Sequence, residues 1–443
     1  MTTTTPPITA LAVRFLRDLI RIDTTNPPGN ETAAAQYIAA VLREEGMESQ
    51  TLEAAPGRGS IITRLHGDGS AGPLLLMSHL DVVPAEAAEW DHPPFAAEVA
   101  DGYVWGRGSC DTKDLTAAQL AILLTLKREG VPLKRDIILA ATADEEAGAD
   151  NGMTWLAQNH WPLLECEYAI NEGGGNGVEI AGRHFYTCQT GEKGVSWIKL
   201  TTRGTAGHGS MPREDNAVAR LCTVVSQLAH AQLPQHITQT VERMARGIAD
   251  TLGLPESLLS ALFDPQREAY VLEQMSQYPE LVATLKATLH NTVSPTILQA
   301  GQKANVIPGQ ASATVDGRIV PGETHESFLQ ELRPYIGEDV EVEFIQRSMP
   351  YESEPASPLF DLMGQVLQQR DPGCILAPYI VPGATDGRIL ARRGVKVYGF
   401  APTQAEPGWP ALEMAHARNE RISLANMHFE TSVLYEVVRR FCA

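Results

Sequence analysis

Residues 74–84 read LLLMSHLDVVP and residues 137–148 read IILAATADEEAG. Each stretch opens as an apolar run of strand length and stops abruptly in ionisable side chains, His79 and Asp81 in the first and Asp144, Glu145 and Glu146 in the second. Outward from them, short β-type runs alternate with helical ones. Helical spacing covers 8–22, 32–45 and 115–128, and strand-like runs cover 60–65, 74–79, 137–143 and 168–171. Alternation of this kind predicts an α/β domain with a mostly parallel sheet, which places its sites at the carboxyl ends of the strands.

The pattern changes after Gly191. Strand-like 195–202, helical 217–229, strand-like 295–299 and 311–319, helical 326–336 and strand-like 340–345 follow in a β-α-β-β-α-β order, that of a small open-faced sandwich. α/β character then resumes with a helix over 358–369, a strand over 395–400 and a helix over 424–441. The expected organisation is a catalytic domain of residues 1–191 and 347–443, interrupted by an α+β lid domain of residues 192–346. Within the lid, residues 232–291 form a helix-rich extra segment without evident chemistry.

Composition narrows the function. The 443 residues suffice for two or three domains. A net charge of −19 repels polyphosphates and anionic lipid, so neither nucleic acid nor a membrane surface is an expected partner. No run approaches the roughly 20 apolar residues of a membrane span. The Thr/Pro-rich start, Met1 to Pro7, lacks the basic and apolar regions of a signal peptide, and a cytoplasmic location is expected. The six cysteines form no CxxC pair and read as reduced thiols, mostly buried.

Five short motifs carry the chemistry. His79 and Asp81 lie two apart at a strand end, so the acid can orient the ring. Asp111 closes a glycine loop, Gly106 to Lys113, that runs into a helix and is placed to bridge two cations. Glu145 and Glu146 crowd a strand end, a costly arrangement that a divalent ion relieves, leaving one glutamate as ligand and the other as general base. Glu172 follows the strand over 168–171, and His416 precedes the last helix. Two imidazoles and three carboxylates suit zinc or a similar ion better than calcium or magnesium. Five ligands exceed one tetrahedral site. With Asp111 shared, they divide into His79, Glu172 and Asp111 on one ion and Glu146, His416 and Asp111 on the other.

The strings SHLDVVP, GRGSCDTKD, ADEEAG, INEGG and AHARNERI, in this order, resemble the M20 family of metallopeptidases, which includes glutamate carboxypeptidase, acetylornithine deacetylase, succinyl-diaminopimelate desuccinylase and the aminoacylases. The resemblance implies a co-catalytic pair of divalent ions, zinc first with cobalt or manganese as alternatives, held by His79, Asp111, Glu146, Glu172 and His416. It implies Asp81 as the orienting acid and Glu145 as the general base. In the lid, His208 resembles the histidine that reaches into a partner subunit's site to polarise the scissile carbonyl, while Asn305 and Arg318 resemble the residues that grip a substrate carboxylate. Gly383 lies in what resembles a substrate-facing loop. Two residues depart from the family pattern: Ser78 and Asp114 stand where glycine is usual, and Asp114 is expected to affect loop conformation or substrate preference.

The expected function is dipeptidase- or carboxypeptidase-type hydrolysis of an amide bond next to a free-carboxylate amino acid, with N-acyl-amino-acid deacylation as the alternative, and the resemblance allows a homodimer through the lid. Peptidase and deacylase share these motifs. A cysteine hydrolase built on Cys110 and a silent metal-binding homologue are the rival readings.

Overall fold

The computed structural model describes residues 7–407, 409 and 411–443, so the Thr/Pro-rich start apart from Pro7 lies outside the described residues. Two compact units emerge. The first takes the chain up to Thr190 with Ser353–Tyr379 and Thr385–Ala443, and the second takes Gly191–Glu352 with Ile380–Ala384. The return to the first unit falls later than the change in sequence pattern because Tyr351 and Glu352 pair antiparallel with Glu192 and Gly191.

The sheet of the first unit runs Ser49–Glu53, Gly59–Leu65, Ile137–Thr142, Leu74–His79, Tyr168–Asn171, Lys396–Gly399, Arg183–Glu192. Its four middle strands are parallel, from Ile137–Thr142 to Lys396–Gly399. The flanks pair antiparallel, which alternation alone did not reveal. Both Leu74–His79 and Ile137–Thr142 are buried along their whole length, as strands covered by helices on two faces must be. His79 stands opposite Thr142 in register, so both strands leave the sheet at one edge and deliver their following residues to the same place.

Helix Lys113–Glu129 lies against this sheet, with helices Ile8–Ile20 and Leu424–Cys442 packed on it. Its apolar positions from Leu115 to Leu126 are buried, each large one contributing about 1.5–3 kcal/mol. It begins at Lys113 rather than Leu115, because Lys113 and Asp114 are themselves buried helical residues that their polarity disguises. Gly130 ends it in the left-handed region, φ 63°, behind Lys127 and Arg128.

In the second unit four antiparallel strands run in the order Thr292–Ala300, Gln310–Ile319, Gly194–Arg203, Glu341–Arg347. Helices Ala217–Ala229 and His325–Ile336 complete the β-α-β-β-α-β sandwich around Ile198, Leu200, Val315, Phe328 and Leu332. The extra segment folds as helices Gln239–Leu252, Glu256–Leu262, Glu268–Gln274 and Pro279–Leu289. All six cysteines are free, and Cys222 is exposed. Among the described residues no helix is long and apolar enough to cross a membrane.

Candidate active site

The two coincident strand ends supply the centre. His79 is 2% exposed, and its Nδ1 lies 2.9 Å from the backbone carbonyl oxygen of Asp81 and 3.5 Å from the Asp81 carboxylate. A carbonyl only accepts, so it keeps the ring proton on Nδ1 and turns Nε2 outward as a ligand atom. The sequence suggested that the Asp81 carboxylate does this work; in the structure its backbone is the closer partner. Its carboxylate instead accepts from Asn26 Nδ2 at 2.8 Å and from the backbone N–H groups of Glu145 at 3.1 Å and Glu146 at 3.0 Å. Asp81 therefore fastens one strand end to the turn that follows the other.

That turn is held from behind as well. Asp144 sits at φ 67°, a left-handed conformation costing a non-glycine residue roughly 1–3 kcal/mol. Its carboxylate takes Arg58 Nη2 at 2.7 Å, the Asn151 backbone at 2.8 Å and Asn26 at 3.2 Å, and Arg58 is itself paired with Glu31 at 2.6 Å. These partners over-determine a strained turn and fix where Glu145 and Glu146 point. Asn26, Glu31 and Arg58 carried no sequence signal, since each lies far along the chain from what it binds.

Asp111 joins the two histidines. Its Oδ1 is 3.1 Å from His79 Nε2 and its Oδ2 is 3.2 Å from His416 Nε2. His79 Nε2 also lies 3.6 Å from Glu172, and His416 Nε2 3.0 Å from Glu146. His79, Glu145 and Glu172 offer ligand atoms within 4.8 Å of one another, and so do His79, Asp111 and Glu146. All five candidate ligands and Glu145 thus meet at one edge of the first unit. A ring N–H has one direction, yet each Nε2 faces two carboxylates at once, which is the arrangement of a cation site rather than of a hydrogen bond.

The electrostatics agree. Burial, with the charge of Glu172 added, pushes Glu145 well above the usual carboxylate range, and burial likewise raises Glu172. Burial opposes the charges of Asp111 and His79, but His416 and then His79 hold the Asp111 carboxyl low, and the charge of Glu172 with the Asp111 contact holds the His79 imidazole high. His416, hydrogen-bonded to Asp111 and Glu146, is lifted to about 10. So many acids in one place call for a divalent counter-charge, and a mixed imidazole and carboxylate donor set fits zinc. Asp386, whose carboxylate accepts from Thr142 Oγ1 at 2.9 Å, adds its charge to those acting on Glu145. The sequence marked it only as the end of the Gly383 loop, with no role of its own.

Asp114 is only 4% exposed, inside the helix packing, and burial raises its pKa well above normal. Of the two expected effects, this burial supports one on loop conformation, because the side chain is packed rather than presented to solvent. Cys110 donates from Sγ to the Arg421 carbonyl at 3.1 Å, and burial raises its thiol pKa well above normal, the opposite of an activated nucleophile.

The other predicted residues belong to the second unit. His208 is exposed, with Nδ1 2.7 Å from Ser210 Oγ, and the Asn305 loop lies beside it, Gly209 N–H donating to the Asn305 carbonyl at 2.8 Å. Arg318 makes a two-pronged contact with Asp316, at 2.7 and 3.1 Å. Gly383, expected within residues 347–443 of the catalytic domain, instead falls in the short stretch Ile380–Ala384 that groups with the second unit, where the Lys193 N–H donates to the Val381 carbonyl at 3.0 Å.

Comparison with known proteins agrees with this geometry. The family model for peptidase family M20/M25/M40 matches residues 75–440. A probable carboxypeptidase S-like 2 of Dictyostelium discoideum is 30% identical over 396 residues, 84% of this chain and 72% of that one. Aminoacylase-1 of Homo sapiens is 28% identical over 422 residues, 93% of this chain and 90% of that one. The solved structure of the M20 family metallo-carboxypeptidase Sso-CP2 from Sulfolobus solfataricus shares the fold, with a TM-score of 0.70 at 17% identity over 97% of this chain and 98% of that one. The match takes in every residue that meets around Asp111, and the chain belongs to peptidase family M20/M25/M40.

Proposed function

We propose that this M20 hydrolase cleaves the amide bond next to a free-carboxylate amino acid, as a dipeptidase or carboxypeptidase, with Glu145 as general base. The observation that carries the reading is Asp111, whose two oxygens face His79 and His416 separately. His79, Asp111 and Glu172 would hold one divalent ion, and Asp111, Glu146 and His416 a second. Zinc suits this donor set, with cobalt or manganese as alternatives. Bound there, the ions would acidify a water and polarise the scissile carbonyl.

Glu145 takes the proton of the attacking water and passes it to the departing amine. Asp81 keeps Glu145 and Glu146 in place through their backbone N–H groups. As the family resemblance implies, His208 would stabilise the oxyanion in the site of a second copy, the Gly383 loop would face substrate, and Asn305 and Arg318 would hold its free carboxylate. Arg318 Nε and Nη2 already hold Asp316, so a substrate carboxylate would take Nη1 or displace Asp316. The second unit also joins two copies into a homodimer. A second reading, an N-acyl-amino-acid deacylase using the same centre, is favoured by the aminoacylase relative that this chain covers almost entirely.

The test is amine release from dipeptides and from N-acetyl, N-succinyl and long-chain N-acyl amino acids, with Zn²⁺ or Co²⁺ supplied. Glu145→Gln is expected to keep its metal and lose turnover by about 10²–10⁴-fold. The best substrate separates peptidase from deacylase. Wild-type turnover in the variant overturns the assignment of the base, and silence across the panel points to a metal-binding homologue.

A further inference from the structure

We propose that Glu420 is the positioning residue for both Asp111 and His416, so that the ion these two hold depends on it; the inference rests on the metal reading above. Glu420 is fully buried, and its carboxylate receives four donors. Oε2 accepts from Arg107 Nη1 at 2.7 Å and from the Gly108 N–H at 3.1 Å, while Oε1 accepts from the N–H groups of Cys110 at 2.7 Å and Asp111 at 3.2 Å. Three of the four belong to the backbone of the loop that delivers Asp111. That loop is too tight to satisfy those groups itself: Gly108 is left-handed at φ 86°, and a Cβ there would meet Val82 at 2.9 Å and Lys113 at 3.0 Å. Buried N–H groups need an acceptor, and Glu420 brings one from the far end of the sequence.

The same pair reaches the second ligand. Arg107 donates from Nη2 to the backbone carbonyl of His416 at 3.2 Å, and Glu420 accepts from Arg107 while lying in the short segment that carries His416. His416 itself is left-handed at φ 63°, a conformation that its surroundings have to hold. Arg107 and Glu420 together clamp the Asp111 loop to the His416 segment, and the 3.2 Å approach of Asp111 Oδ2 to His416 Nε2 follows from that clamp.

All four partners are donors, so the position calls for a carboxylate. An amide has one acceptor oxygen, and its N–H₂ would face either Arg107 or the Cys110 and Asp111 backbone. Glu420→Gln is therefore expected to weaken the Co²⁺ ion that Asp111 and His416 hold by about 10–100-fold, the range found for partners that orient ligands, and the ion that Asp111 shares with His79 and Glu172 by less, because only one of its ligands is moved. Equilibrium Co²⁺ titration, followed by visible absorption and by metal analysis, reads this without substrate. The metal-free variant should keep the wild-type circular dichroism, which separates aiming a ligand from holding the fold. Arg107→Lys, which leaves a cation beside Glu420 but cannot span to the His416 carbonyl, should lose the same ion and provides the test if Glu420→Gln fails to fold. Wild type binding two ions and both variants binding two with unchanged affinity overturns the role of Glu420. Wild type binding none overturns the metal reading beneath it, so the two failures look different.

Discussion

Asp111 can be shared because its two oxygens point apart, Oδ1 to His79 and Oδ2 to His416, and neither histidine could be placed without its own support. Asp81 provides that support at the strand end, spending one backbone carbonyl on His79 and its carboxylate on the Glu145 and Glu146 backbone. Asp81→Asn leaves the carbonyl in place but sets an N–H₂ group against those donors. Metal affinity should fall about 10–100-fold and turnover with it, measured by metal analysis after dialysis against a graded chelator. Full metal retention at wild-type activity would show that the backbone carbonyl alone suffices. The ligands were legible because histidine and carboxylates at the ends of apolar strands have few structural reasons to be there. Glu420, Arg58 and Asn26 were not, because they bind backbone N–H groups or charges far along the chain, as Arg58 does Asp144 and Glu420 does Cys110. Asp114 misled for a related reason: an acid at a helix start normally caps it in solvent, and here packing buries it instead.

At the scale of elements, hydrophobic period located the helices and the parallel strands, since burial on one face or on both writes itself into spacing. It missed the antiparallel flank Arg183–Glu192, whose run RHFYTCQTGE mixes polar and apolar residues without a clean period. The helical insertion was visible only as helices, yet it is tied down by chemistry. His236, at its start, meets Glu323 at 3.1 Å through Nδ1 and Glu331 at 2.7 Å through Nε2, and Glu331 lies on helix His325–Ile336. Although these three groups cluster as a metal site would, each ring nitrogen has its own carboxylate, the arrangement of an imidazolium donating twice. Its hydrogen bond to Glu331 raises the His236 pKa in the folded protein. A raised folded value means the clasp is at full strength below the unfolded pKa of about 6.5 and is lost as pH rises through the folded value. Amide exchange over 232–238 and 320–336 should therefore quicken as pH rises above about 6.5, relative to His236→Gln at each pH, by a factor corresponding to about 1–2 kcal/mol. Equal pH dependence in the two proteins would show that the imidazole carries no such charge.

At the scale of the whole molecule, the order of elements already implied an insertion, and the second unit treats its two sheet edges differently, guarding one with charge and the other only at Pro295 and the register shift beside it. Its four-stranded sheet ends on one side in Glu341–Arg347, where Glu341, Glu343 and Arg347 are the charges expected of an edge that must not pair. On the other side, Thr292–Ala300 reads TVSPTILQA, with no charge anywhere and with Ile297 51% and Leu298 59% exposed. An uncharged edge strand with protruding aliphatic side chains is a template for another strand, and in a homodimer a second copy of the same strand supplies it. The expected mass in solution is twice the 48.0 kDa of the chain. Leu298→Lys, which puts a charge where two such edges would meet, should shift the light-scattering mass to that of one chain while leaving the circular dichroism unchanged, because residue 298 is already half in water. A wild-type chain that elutes as a monomer at micromolar concentration would remove this edge as the dimer contact. A Leu298→Lys protein that stays dimeric would move the contact elsewhere on the second unit.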